Sequence, residues 1–166
     1  GSCVYAIKNY PDYFTKAGEL GWAERAKKVV ARFCDLTDFI VNKLGVTDVG
    51  AYLPGKAVYH PSCSLTRKLG IVDEPIALLK GVKGLDLLPI HNQQTCCGFG
   101  GTFSVKMAEI SGEMVKEKVE HIEEVEPQYL IGADVSCLLN IGGRLQREGS
   151  KIKVMHIAEV LMQGEK

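Results

Sequence analysis

Residues 56–63, KAVYHPSC, decide how the chain is to be folded. Ala57, Val58 and Tyr59 form a short apolar run, His60 ends it, Pro61 stops it, and Cys63 follows two residues later. Such a run favours an extended strand, and a proline cannot donate to a strand ladder, so the strand ends before it. The pattern recurs along the chain. Leu85–Ile90 (LDLLPI) is a second strand candidate with Cys96-Cys97 beyond it, and Tyr129–Asp134 (YLIGAD) is a third, followed by Cys137. Lys153–Ile157 (KVMHI) reads as a last strand, leading into a helix that ends near Gly164.

Helical patterns lie between the strands at Glu74–Lys80, Glu109–Glu124 and Leu138–Arg147. In the second of these, Val115, Val119 and Ile122 face inward while Lys116, Glu117, Glu120, Glu123 and Glu124 face outward. Alternation of strand and helix predicts an α/β fold, a parallel sheet of about four strands flanked by helices. Ahead of it, residues 10–45 read as helical. Trp22, Ala26, Val29, Val30 and Phe33 fall on one inward stripe. Asp35 offers an N-cap for a further helix with Phe39, Ile40 and Leu44 inward and Gly45 at its end. Asp48–Gly55 reads as a loop in which Pro54-Gly55 marks a turn. The chain therefore divides into a helical segment, 1–50, and an α/β unit, 51–166.

Composition narrows the function. Twenty basic side chains balance twenty acidic ones, so nothing offers an electrostatic footprint for nucleic acid or an anionic membrane surface. The longest weakly polar run, Tyr129–Gly143, carries Asp134 and Asn140 and is too short to span a bilayer. No secretory signal opens the chain, and a reducing, cytoplasmic compartment is expected; nor does a methionine, so a fragment or a processed product is expected. With 46% hydrophobic residues the core needs no disulfide staples, so Cys3, Cys34, Cys63, Cys96, Cys97 and Cys137 direct attention to metal or redox chemistry.

In a parallel sheet all strands end on one edge, where such folds build their sites. Cys63, Cys96, Cys97 and Cys137 follow three different strands and are expected to meet there. Convergent cysteines suit zinc or an iron–sulfur cluster. Structural zinc sites use pairs a few residues apart, whereas here 32 residues separate Cys63 from Cys96 and 39 separate Cys97 from Cys137. Adjacent cysteines suit a polynuclear cluster better, since neighbouring sulfurs reach different iron atoms. Gly98, Gly100 and Gly101 then let the backbone approach and aim N–H groups at cluster sulfurs. Cys34, beside Phe33 at a helix junction, reads as core packing. His60 and His156 end strands near the proposed edge and read as neighbours of the site satisfied by backbone. His91 and His121 read as loop and helix-surface residues. GFGG at 98–101 lacks the companions of a phosphate-binding loop.

The segments YHPSC (59–63), CCGFGGTFSVKM (96–107), SCLLNIGGRLQREG (136–149) and MHIAEVL (155–161) resemble the cysteine-rich CCG-domain family. That family includes the cysteine-rich subunit of heterodisulfide reductase, the iron–sulfur subunits of glycolate oxidase and anaerobic glycerol-3-phosphate dehydrogenase, and the lactate utilization proteins A, which the segments match best. The resemblance covers nearly the whole chain. It implies an iron–sulfur electron-transfer subunit of an L-lactate (2-hydroxy acid) oxidising complex, with Cys63, Cys96, Cys97 and Cys137 as ligands. It also implies other lactate utilization subunits as partners, one a ferredoxin-type iron–sulfur protein. Members of this type carry two cysteine-rich repeats. Here 51–166 matches the C-terminal one, and 1–50 is expected to link from a missing first repeat, with Ser2-Cys3 paralleling Ser136-Cys137. The fuller signature ends in C-x-x-C, whereas Asn140 stands three residues after Cys137 here. Four thiols leave both a 4Fe–4S cluster and a zinc ion open, and the zinc alternative is a non-redox docking module. Dithiol chemistry at Cys96-Cys97 is opposed by the strain of a vicinal disulfide.

Overall fold

A computed structural model describes residues 1–164, so the last two positions of the 51–166 unit lie outside the described residues. Four strands form one parallel sheet in the order β2-β1-β3-β4: β1 (Tyr52–His60), β2 (Lys83–Leu87), β3 (Tyr129–Gly132) and β4 (Lys153–His156). The expected α/β class and parallel sheet are borne out. β1 and β3 are central, and strands buried on both faces must be apolar on both. Ala57, Tyr59, Ile131 and Ala133 point into one core, which α5 (Asp73–Lys80) and α9 (Ile157–Leu161) cover through Leu79, Ile157 and Val160. Val58 and Leu130 point into the other. There α7 (Ala108–Glu123) and α8 (Val135–Arg147) supply Val115, Val119, Ile122, Leu138, Ile141 and Leu145.

Four short helices precede the sheet: α1 (Ser2–Lys8), α2 (Tyr10–Lys16), α3 (Leu20–Val30) and α4 (Leu36–Asp38), the last running on as a π-helical turn over Phe39–Lys43. Asp35 caps α4 as expected, its Oδ1 accepting from Thr37 N at 3.0 Å and Thr37 Oγ1 at 2.9 Å, and Gly45 closes the segment at φ +70°. The inward stripes do not hold. On α3 the buried residues are Ala23 and Ala26, while Trp22, Val29 and Phe33 are exposed, as are Phe39 and Leu44 further on. The physical reason is that α2 and α3 pack against each other, with Phe14 stacked on Trp22 (centroids 6.1 Å apart) and the Arg25 guanidinium 4.3 Å over the indole. Large side chains in that hairpin find partners at its rim and leave the close contact to alanines.

Pro54-Gly55 is a bulge rather than a turn. β1 starts at Tyr52 and passes through both residues, with its register against β2 shifting between Tyr52 and Gly55. Proline is tolerated where a bulge frees the ladder of its missing donor, and Gly55 takes φ +136°. β2 begins two residues before the expected strand, and α8 three residues before the expected helix. Asp134 accounts for the second shift: its Oδ1 accepts from Ser136 N at 3.1 Å and starts α8 directly after β3.

Candidate metal centre

The strands end along one edge at Leu87, His60, Gly132 and His156, with His60 opposite Gly132 and Gly132 opposite His156. Just beyond β1, Cys63 precedes a π-helical turn, Ser64–Lys68, and is half-buried. Beyond β2 the loop 88–101 carries half-buried Cys96 and buried Cys97. Cys137 is buried in the first turn of α8, on a helix instead of a loop.

Of these thiols the structure sets Cys97 and Cys137 beside His60, while Cys63 and Cys96 fall outside that set. Ligand atoms of His60, Cys97 and Cys137 all lie within 4.8 Å of one another. Cys63 and Cys96, both half-buried, stand on neighbouring segments at the same edge. The loop's backbone faces the sulfurs: Gly98 N–H points at Cys96 Sγ, 3.5 Å away, and Phe99 N–H points at Cys97. Gly98 sits at φ +80° and its carbonyl accepts from Ser111 Oγ at 2.8 Å, which ties the loop to α7. Gly100 and Gly101 take φ +50° and +62° where the loop turns into α6 (Thr102–Lys106), so they shape the loop's exit.

The electrostatics single out Cys97. A hydrogen bond from Cys137 holds its thiol down to about 4 against the effect of burial, with help from His60 and Phe99 N–H. Cys137 is pushed far up, chiefly because it is the donor in that bond and secondly because it is buried. Burial, only partly offset by Gly98 N–H, raises Cys96. The neighbouring Cys137 thiol and His60 therefore favour the ionised form of Cys97 over that of its neighbours.

The donor chemistry fits a thiolate-bound metal group. Among the described residues three elements each deliver cysteine sulfur to one edge, and the buried Nδ1 of His60 has no hydrogen-bond partner. Asn140, at the position where a fifth cysteine is absent, donates from Nδ2 to Cys97 O at 2.7 Å and holds the loop.

His60, which the sequence presents as a satisfied neighbour, is 1% exposed and stands beside Cys97 and Cys137. Lys118 carries no sequence signal at all, because a lysine on a highly charged helix reads as solvent-facing. His156 belongs to a capping box instead: its Nδ1 accepts from Ala158 N at 3.2 Å and its N–H donates to Glu159 Oε2 at 2.7 Å. His121 is more than a surface residue, its ring lying edge-on to His91 with centroids 5.0 Å apart. Cys34 is half-buried and Cys3 exposed.

A parallel α/β sheet with cysteines gathered at its C-terminal edge defines a cysteine-rich domain of the metal-binding type. The profile of a family described as a cysteine-rich domain, CCG, matches residues 57–142, and the chain belongs to that family. It is 75% identical over 162 residues to YkgE, an uncharacterized protein of Escherichia coli strain K12, covering 98% of this chain and 67% of that one. It is 58% identical over 161 residues to lactate utilization protein A of Geobacillus thermodenitrificans strain NG80-2, covering 97% of this chain and 66% of that one. The corresponding protein of Lysinibacillus sphaericus strain C3-41 is 56% identical over 161 residues, at 97% and 70% coverage. The chain spans about two thirds of the length of these relatives. No helix among the described residues is long and apolar enough to cross a membrane.

Proposed function

We propose that the chain is an iron–sulfur electron-transfer subunit of a complex that oxidises L-lactate or a related 2-hydroxy acid. It works in the cytoplasm beside other lactate utilization subunits, one of them a ferredoxin-type iron–sulfur protein. Two of the relatives carry lactate utilization in their names. The observation that supports the redox half of the reading is the close set of His60, Cys97 and Cys137 at the sheet edge, with Cys63 and Cys96 on neighbouring segments of that edge. These four residues would hold a 4Fe–4S cluster, which would supply a reversible one-electron carrier. The chain's own part is positional. Gly98 and Phe99 turn N–H groups toward sulfur, Gly100 and Gly101 set the loop's path, and Leu138 and Ile141 close the buried side against water. The half-buried side at Cys63 and Cys96 is where electrons enter and leave.

One observation favours a second reading. His60 joins Cys97 and Cys137 in a mixed nitrogen and sulfur set, which suits zinc and a docking role without redox chemistry. The two separate on reduction of anaerobically reconstituted protein: a cluster loses visible absorption on adding dithionite and regains it with an oxidant. A colourless, redox-silent protein that holds zinc rejects the electron-transfer reading.

A further inference from the structure

Lys118 is the least expected side chain in the core: it is 0% exposed, on the face of α7 that carries Ser111, Val115, Val119 and Ile122 inward. Ser111 and Lys118 are seven residues apart, about two helical turns, so they stand one above the other. Ser111 holds Gly98 O, and Lys118 Nζ donates to Asn92 O at 3.2 Å and Gln93 O at 3.0 Å. Gln93 in turn donates from Nε2 to Tyr59 O at 3.0 Å, and Asn92 takes φ +48°. The cysteine loop is therefore clamped to α7 at both ends of its descent and stitched to β1.

Two carbonyl dipoles do not neutralise a buried ammonium, and burying a charge is costly unless it is compensated. Among the described residues Lys118 makes no salt bridge. Burial pushes its ammonium down, and the charges that oppose this are Cys97, its neighbour Glu117, Cys96 and Cys137. Glu117 is exposed, so the buried groups beside the loop that can carry negative charge once they hold a metal are Cys97 and Cys137. We propose that Lys118 is the buried counter-charge of the metal-bound cysteine site, holding the cysteine loop through Asn92 O and Gln93 O. This is a positioning and charge-balancing role, and it rests on the reading of the thiols as metal ligands.

The test compares wild type with Lys118→Met, which keeps the length without charge, Lys118→Gln, which keeps a donor for the loop carbonyls, and Lys118→Arg, which keeps the charge. Zinc ion affinity of metal-free protein is read by competition with a chromophoric chelator, and the midpoint potential is read on protein reconstituted with iron and sulfide. Groups that support metal ligands are worth about 10- to 100-fold in metal affinity. Met and Gln variants are expected to bind zinc at least about tenfold more weakly and to shift the potential negative, while Arg recovers most of both. Should Met fail to fold, Gln decides. Zinc affinity within about twofold of wild type in the uncharged variants overturns the inference. Wild type that takes up zinc but no iron and sulfide defeats the electron-transfer reading instead, and the zinc comparison still decides the role of Lys118.

Discussion

Gly98→Ala is the sharpest perturbation of the cysteine loop. At φ +80° a side chain is strained, costing about 1–2 kcal/mol. An added Cβ would also stand 2.7 Å from Ser111 O and 3.1 Å from Met114 Cβ, and the first is backbone of a long helix that cannot yield. The loop must move instead. Overpacking of this kind costs about 1–3 kcal/mol, and loss of the 2.8 Å bond from Ser111 Oγ to Gly98 O adds about 1 kcal/mol. Stiffening of the unfolded chain returns about 0.4–1 kcal/mol. The net is about 4 kcal/mol, which for a domain of this size lowers the melting temperature by roughly 8–16 °C. Gly101→Ala is the control. At φ +62° and ψ −111° its backbone strain is about 1–3 kcal/mol, but nothing lies within 4 Å of the new Cβ, so no overpacking adds to it and the net stays at or below about 2.5 kcal/mol. Urea denaturation of metal-free protein measures both. If Gly98→Ala costs no more than Gly101→Ala, close approach to α7 is not why glycine stands at 98.

Other changes probe neighbouring parts of the site. Asn140→Ala removes the 2.7 Å bond to Cys97 O and should destabilise by about 1–2 kcal/mol, read by the same denaturation. His60→Phe keeps a ring but no nitrogen; the chain should still fold by circular dichroism yet retain less metal after gel filtration. Burial raises the Asp134 carboxyl, but hydrogen bonds from the Ser2 N–H and side chain, the charge of the terminal ammonium and the bond from Ser136 outweigh it and hold it below its ordinary range. Its contribution is therefore present above the ordinary carboxylate range and lost as pH falls through the lowered value. Asp134→Asn should flatten the acid limb of a stability-against-pH curve measured by thermal melting.

Much of this architecture was legible because it rests on short-range signals. Apolar Ala57–Tyr59 stopped by Pro61, and Leu130-Ile131 followed by the cap at Asp134, announce buried parallel strands, and the cysteines after each strand then fall on one edge. What stayed hidden depends on partners distant in sequence. Pro54-Gly55 carries the residues of a turn, and only pairing with β2 turns it into a bulge. Trp22 and Val29 have helical spacing but no core to face, since α2 covers α3 with a ring and a hairpin. Lys118 is buried because the loop returning from β2 lies across α7 with the carbonyls of Asn92 and Gln93 turned toward it, and nothing local in EKVEH shows that. His60 meets Cys97 and Cys137 only through the sheet edge.

The most direct test of the central claim is iron and acid-labile sulfide analysis of protein purified and reconstituted without oxygen. Iron with matching sulfide, lost in Cys97→Ser and Cys137→Ser while both variants remain folded, is the predicted result. Stoichiometric zinc without sulfide, or iron retained when these two thiols are removed, would contradict it.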